Sequence, residues 1–228
     1  RELIAHNIKD DIQVKYVLDL REFPGDPVEK ILVHDFDVIV NDPEVDIVVE
    51  TMGGVHPALE FSMKALEAGK NVCTSNKELV ASHGYELMSA AAANNVNYMF
   101  EASCGGGIPI IRPLYTSLAA DRIEEITGIM NGTTNYILTK MYYEGADFAD
   151  VLREAQEKGY AEKNPSADIE GYDPCRKIAI LSSVAFDRQM DYNDIYTEGI
   201  TGITAEDFIY ARALNARIRL LGTSKSTE

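Results

Sequence analysis

The sequence predicts an α/β fold, with an incomplete doubly wound parallel sheet followed by an α+β unit. Three observations carry that expectation. From the start to Glu101, short β-branched runs alternate with amphipathic stretches of helical period. Beyond it, longer helical patterns dominate, with a strand-like run at Glu125 to Met130. The 228 residues are 46% hydrophobic, enough to bury a core in one large domain or two smaller ones.

The elements follow in order. RELIAHN at the start reads as the end of a helix. Ile12 to Leu18 alternates like a strand, and Val38 to Val40 and Ile47 to Glu50 are short β-branched runs. Pro57 to Ala68 reads as a helix: Pro57 suits its first position, Leu59, Met63 and Leu66 share a face, and Gly69 stops it. Val72 to Thr74 is a strand, Tyr85 to Asn95 an Ala-rich helix and Val96 to Glu101 a further strand. Such alternation implies parallel pairing. The boundary between the regimes falls near Ala102 to Pro109. After the Glu125 to Met130 strand come helices at Thr134 to Tyr143, Phe148 to Lys158 and Asp173 to Phe186. Asp173 is expected as the N-cap of the third, with Pro174 at its first position. Thr204-Ala205-Glu206-Asp207 is a capping box opening a helix to about Asn215.

Bulk properties exclude several classes. The net charge of -16 repels phosphate backbones, so no nucleic-acid partner is expected. No apolar run approaches the roughly 20 residues that cross a bilayer, and no signal peptide is visible, so the expected location is the cytoplasm, with no membrane partner. Cys73, Cys104 and Cys175 have neither disulfide nor zinc spacing, and the histidines show no ligand pattern.

Three segments can carry chemistry. Asp173 and Lys177 are four apart on a helix and share a face. Taken alone they are a surface ion pair, but Lys177 opens an apolar run, and a lysine beside buried surface can trade a proton. Glu162, Asp168 and Glu170 lie just upstream, and carboxylates around one lysine make a polar pocket for a small amino-bearing molecule. Glu101 to Pro109 (EASCGGGIP) follows a strand with three consecutive glycines. Such a run is a hinge, or lets backbone approach a ligand and leaves carbonyls for a hard monovalent cation. Glu50 to Gly54 (ETMGG) and Thr74 to Lys77 (TSNK) sit just past strand ends, where open parallel sheets bind ligands.

ETMGG, VCTSNKELVA, EASCGGGIPII, GIMNGTTNYILTKM, AQEKGYAEKNPSADIEGYDPCRK and the ITAED helix occur in the order and spacing of the homoserine dehydrogenases, which the chain resembles over nearly its whole length. The resemblance implies an incomplete Rossmann-type nucleotide-binding domain over 1–103, a catalytic, substrate-binding and dimerisation domain over 104–222, and a polar tail over 223–228. It implies an oxidoreductase of threonine, methionine and isoleucine biosynthesis that interconverts L-aspartate 4-semialdehyde and L-homoserine with NADP or NAD. Lys177 is then the proton donor and acceptor, and Lys77 supports catalysis beside cofactor and substrate. Asp173, Glu162 and Asp168 bind substrate. Thr51, Gly53, Thr74, Ser75, Gly159, Glu162 and Lys77 line the cofactor. A sodium ion is held at Glu101, Cys104, Gly106 and Ile108, through backbone carbonyls, and the protein is a homodimer.

The chain departs from that family in two respects, one being that the later C-terminal part that completes the family's nucleotide domain is missing. The G-x-G-x-x-G loop that opens a dinucleotide-binding sheet is missing, and the chain reads as a piece cut back at both ends. Asp19 and Arg21, an acid and a base side by side, leave NAD and NADP both open. Two other readings are a thiol-dependent aldehyde dehydrogenase with Cys104 as nucleophile, and a truncated, non-catalytic binding protein of the same fold.

Overall fold

The computed structural model describes residues 12–227; the expected helix end at RELIAHN lies outside them. The first unit is built on parallel strand pairs. Strand β1 (Val17–Leu18) pairs with β2 (Leu32–Val33). Helix α1 (Phe36–Val40) leads to β3 (Ile47–Glu50), α2 (Ala58–Glu67), β4 (Asn71–Thr74), α3 (Lys77–Ala93) and β5 (Tyr98–Met99). The order β3-β4-β5 is parallel throughout. A short α4 (Ala102–Gly105) and α5 (Ile111–Thr116) lead out of the sheet.

The second unit is mostly helical. Strand β6 (Glu125–Gly128) runs into α6 (Gly132–Glu144), followed by α7 (Phe148–Glu157), α8 (Ser166–Ile169), α9 (Tyr172–Ala185), α10 (Ala205–Ala213) and β7 (Gly222–Lys225). The capping box at Thr204 and Asp207 forms as expected. Ile137, Leu138, Met141, Val151, Ile200 and Phe208 form the core of this unit. Helix α9 belongs to it in sequence, yet Ile180 and Leu181 pack into the core of the parallel sheet with Leu66, Val72 and Leu79.

Several expectations are corrected. Val38 to Val40 is helical, because Asp35 caps the Asp37 amide and Phe36, Ile39 and Val40 bury one face at helical spacing. The strand expected over Ile12 to Leu18 shrinks to two residues, since its partner offers only two. Helix α3 begins well before Tyr85, because the Asn76 side chain accepts from the Leu79 amide and caps it. Asp173 is not the N-cap of α9. That position is Gly171, at φ 85°, and Asp173 lies in the first turn. The stretch after Leu221 is not a loose tail: Gly222–Lys225 pairs antiparallel with β6, Gly222 opposite Gly128 and Lys225 opposite Glu125. Strand pairing needs only backbone groups, so polar composition did not betray it.

One close approach fixes the loop carrying the acidic residues. A β-carbon on Gly199 would lie 2.2 Å from the Ile169 carbonyl oxygen and 2.6 Å from the Glu170 Cα. The same contact brings the Ile200 amide to the Ile169 carbonyl at 2.8 Å. We predict that Gly199→Ala destabilises the protein by at least about 1–3 kcal/mol, the usual cost of overpacking, read from urea denaturation.

Candidate active site

Helix α3 starts at Lys77, directly past the carboxyl end of β4. Helix α9 starts at Tyr172 and carries Asp173 and Lys177 four residues apart. Packing of α9 on α3 brings them together, with Arg176 Nη2 bonded to Glu78 Oε1 at 3.2 Å. Asp173 is 3% exposed. One of its carboxylate oxygens accepts from Lys77 Nζ, and the other from Lys177 Nζ at 2.7 Å. Lys177 Nζ also donates to the Met130 carbonyl at 2.8 Å. Burial opposes ionisation of Asp173, but the hydrogen bonds from Lys177, Lys77 and Asn131 outweigh it and hold the carboxyl below its ordinary value.

These groups line a cleft of about 490 Å³ together with Asp168, Tyr136, Tyr160 and the Asn131–Thr133 turn. Two ammoniums and two carboxylates therefore meet at one open face. Such a set of charges is complementary to a small zwitterion. Glu162 is exposed and is not among the residues lining the cleft. The sequence singles out neither Asn131 nor Tyr136 and Tyr160 as site residues. The position of Asn131 directly before a helical pattern signalled a cap, but nothing signalled its reach to the carboxylates.

The second group of expected residues lies at the strand ends. Thr51, Gly53 and Ser75 are exposed there. Thr74 is buried, and its hydroxyl donates to Glu50 Oε2 at 2.6 Å. Glu50, 4% exposed, also accepts the Met52 amide at 2.5 Å. Asn76 Nδ2 reaches the Gly54 carbonyl at 2.7 Å, tying the two turns together. Thr74 thus faces inward, and its hydroxyl is engaged with Glu50. Gly159 closes α7 at φ 73° and is exposed.

At the glycine run, the Glu101 carboxylate accepts three amides, from Ile110 at 2.5 Å, Ile111 at 2.8 Å and Arg112 at 2.7 Å. Partial burial opposes its charge, yet those amides keep the carboxyl below the usual range. Space around Gly106 and Gly107 is open. Among the described residues no cluster of three or more His, Cys, Asp or Glu side chains forms a metal cage.

Cys104 does not suit the nucleophile expected of a thiol enzyme. It is buried, and burial pushes its thiol up to about 11. Its Sγ lies 3.9 Å from the Lys177 carbonyl oxygen, which is no base.

Two measurements follow from this geometry. Native protein treated with iodoacetamide at mildly alkaline pH is expected to be alkylated at exposed Cys73, with buried Cys104 and Cys175 modified only on unfolding, as read by mass spectrometry. Asp173 titrates below its ordinary value of 3.8, so it contributes stability above that pH that is lost as the pH falls through its lowered value. Denaturation midpoints of the wild type are therefore expected to fall below about pH 4 more steeply than those of Asp173→Asn, which carries no charge to lose.

Comparison with known proteins places the chain in a family. The family model described as homoserine dehydrogenase matches residues 109–227, and that described as homoserine dehydrogenase, NAD binding domain matches residues 5–101. A homoserine dehydrogenase of Synechocystis sp. is 47% identical over 192 residues, covering 84% of this chain and 44% of that protein. The crystal structure of a homoserine dehydrogenase from Thiobacillus denitrificans superposes with a TM-score of 0.83 at 50% identity, over 86% of this chain and 46% of that one. A hyperthermophilic archaeal homoserine dehydrogenase mutant, in complex with NADPH, superposes with a TM-score of 0.73 at 31% identity, over 85% of this chain and 57% of that one. The chain spans about half the length of the curated relatives it matches. With matches to both family models and the geometry of its cleft, the chain belongs to the homoserine dehydrogenase family.

Proposed function

We propose that this chain carries the acid–base half of an NAD(P)-dependent homoserine dehydrogenase reaction, the interconversion of L-aspartate 4-semialdehyde and L-homoserine. The observation that supports it most is the convergence of Lys77 and Lys177 on the buried Asp173 carboxylate, beside Asp168 and at an open cleft. The nicotinamide cofactor, when bound, supplies or accepts the hydride. Lys177 holds the proton delivered to the substrate oxygen as negative charge builds there, and takes it back in the reverse direction. Asp173 and Asp168 bind the substrate amine. Glu162 joins them from the exposed loop beside the cleft. Lys77, at the positive end of α3, stabilises anionic groups of the substrate next to the cofactor.

Exposed Thr51, Gly53 and Ser75, with buried Thr74, lie at the carboxyl ends of β3 and β4, where a nicotinamide fits. Open space over Gly53 supports that fit. Thr74 takes part through its backbone, and Gly159 and Glu162 border the cofactor's edge. A sodium ion is proposed at the carbonyls of Glu101, Cys104, Gly106 and Ile108. The engagement of the Glu101 carboxylate by three amides supports carbonyl rather than carboxylate ligation. The protein is proposed to act as a cytoplasmic homodimer. Among the described residues no helix is long and apolar enough to cross a membrane.

A spectrophotometric assay of homoserine-dependent NADP and NAD reduction tests the reading; no reduction with either would favour a non-catalytic binding protein. Lys177→Ala is expected to lower kcat by about 10²–10⁴-fold, the range for loss of a general acid–base, while cofactor binding by fluorescence is retained. Unchanged turnover would remove Lys177 from the mechanism.

A further inference from the structure

We propose that Asn131 is the positioning residue of the cleft, the group that holds Asp168 and Asp173 side by side as a receptor for a primary ammonium. The proposal deepens the functional reading above and rests on it for the identity of the ammonium. Asn131 lies between β6 and α6 and is 5% exposed. Its Nδ2 donates to Asp168 Oδ1 at 2.6 Å and to Asp173 Oδ2 at 2.9 Å. An amide nitrogen has two hydrogens, so both are used. Its Oδ1 accepts from the Thr134 amide at 2.9 Å and the Thr134 hydroxyl at 3.0 Å. Those two donors fix which end of the amide faces the acids: a flipped Asn131 would set its oxygen against two carboxylates and its nitrogen against an N–H. The preceding residue, Met130, holds Lys177 Nζ through its carbonyl. One turn of backbone therefore sets the geometry of groups from α8 and α9 at once.

The chemistry explains why an amide is needed there. Two carboxylates from separate elements repel, and without a donor between them they splay apart or share a proton. With the amide between them the two carboxylates share one donor, and their remaining lone pairs can accept from the N–H groups of an ammonium. Lys77 and Lys177 bond Asp173 from α3 and α9, and Asp168, Tyr136 and Tyr160 line the same cleft. Asn131 touches none of the reacting atoms in this account. It acts through the acids, on substrate affinity rather than on the proton or hydride step.

Asn131→Asp in the full chain separates this role from simple capping. Aspartate keeps an acceptor for Thr134 and is itself a good N-cap. It replaces the shared donor by an anion facing two others. The expected result is a KM for homoserine raised by about tenfold or more with kcat changed much less, and an acid limb of kcat/KM moved up by about one pH unit. Asn131→Ser keeps a capping hydroxyl and removes the donor without adding charge. It is expected to raise KM with a smaller movement of the acid limb, and it decides the matter by its KM if the aspartate variant fails to fold. Wild-type KM and pH profile in a folded variant overturn the proposal. A carbon-13 titration of the Asp173 carboxyl needs no turnover, so it tests Asn131 even if the wild type fails to oxidise homoserine. An upward movement in Asn131→Asp supports the positioning role, and an unchanged titration overturns it.

Discussion

A carboxylate removed from water costs several kcal/mol unless donors replace its hydration. Asp173 meets that demand with an ammonium from α3, an ammonium from its own helix and an amide from the β6–α6 turn. Each donor comes from a different stretch of chain, so those stretches have to arrive together or the charge is stranded. The same arrangement gathers the charged groups of the cleft. Two cations and two anions are held close without full neutralisation by solvent, and Lys77 and Lys177 remain at the open face.

Helix α9 does two jobs at its two ends. Ile180 and Leu181 bury into the core of the parallel sheet, with side chains at or below 6% exposure. Its first turn hangs over the cleft, anchored by Gly171 in the left-handed region and by the Glu198–Ile200 strand of chain packed against Ile169 and Glu170. Packing in the core thus sets the position of the charged groups of the cleft: a shift of α9 along α3 would part Lys77 from Asp173 and Arg176 from Glu78. At the strand ends, buried Glu50 ties Met52 to Thr74, and Asn76 ties Gly54 to the start of α3.

Much of this was legible in sequence where the signal is local. The Pro57 and Gly69 punctuation, the β-branched run at Ile47 and the capping box at Thr204 each marked an element that formed within a residue or two of its expected bounds. Reading failed where burial overrode local pattern. Val38 to Val40 carries strand-forming residues, yet the Asp35 cap and the burial of Phe36, Ile39 and Val40 make it helical. Gly222–Lys225 looks like a tail because its backbone pairing leaves no apolar pattern in the sequence. In the candidate site, the four-residue spacing of Asp173 and Lys177 was visible, whereas the reach of Asn131 across 37 residues to Asp168 and 42 to Asp173 was not.

Sequence alone determined the α/β class, the family motifs and the list of ionisable groups that could do chemistry, because periodicity, capping and motif order are properties of neighbouring residues. Tertiary structure decided which of those groups meet. Lys77 is 96 residues from Asp173 and bonds it directly; Glu162, only 11 residues away, stays in solvent, outside the cleft lining. Cys104 sits beside the Lys177 carbonyl in sequence-distant packing, and burial pushes its thiol up to about 11. The reason is physical: a side chain's partner, exposure and proton affinity depend on long-range packing, which here is governed by the burial of α9 against the sheet core and by the need to satisfy one buried carboxylate.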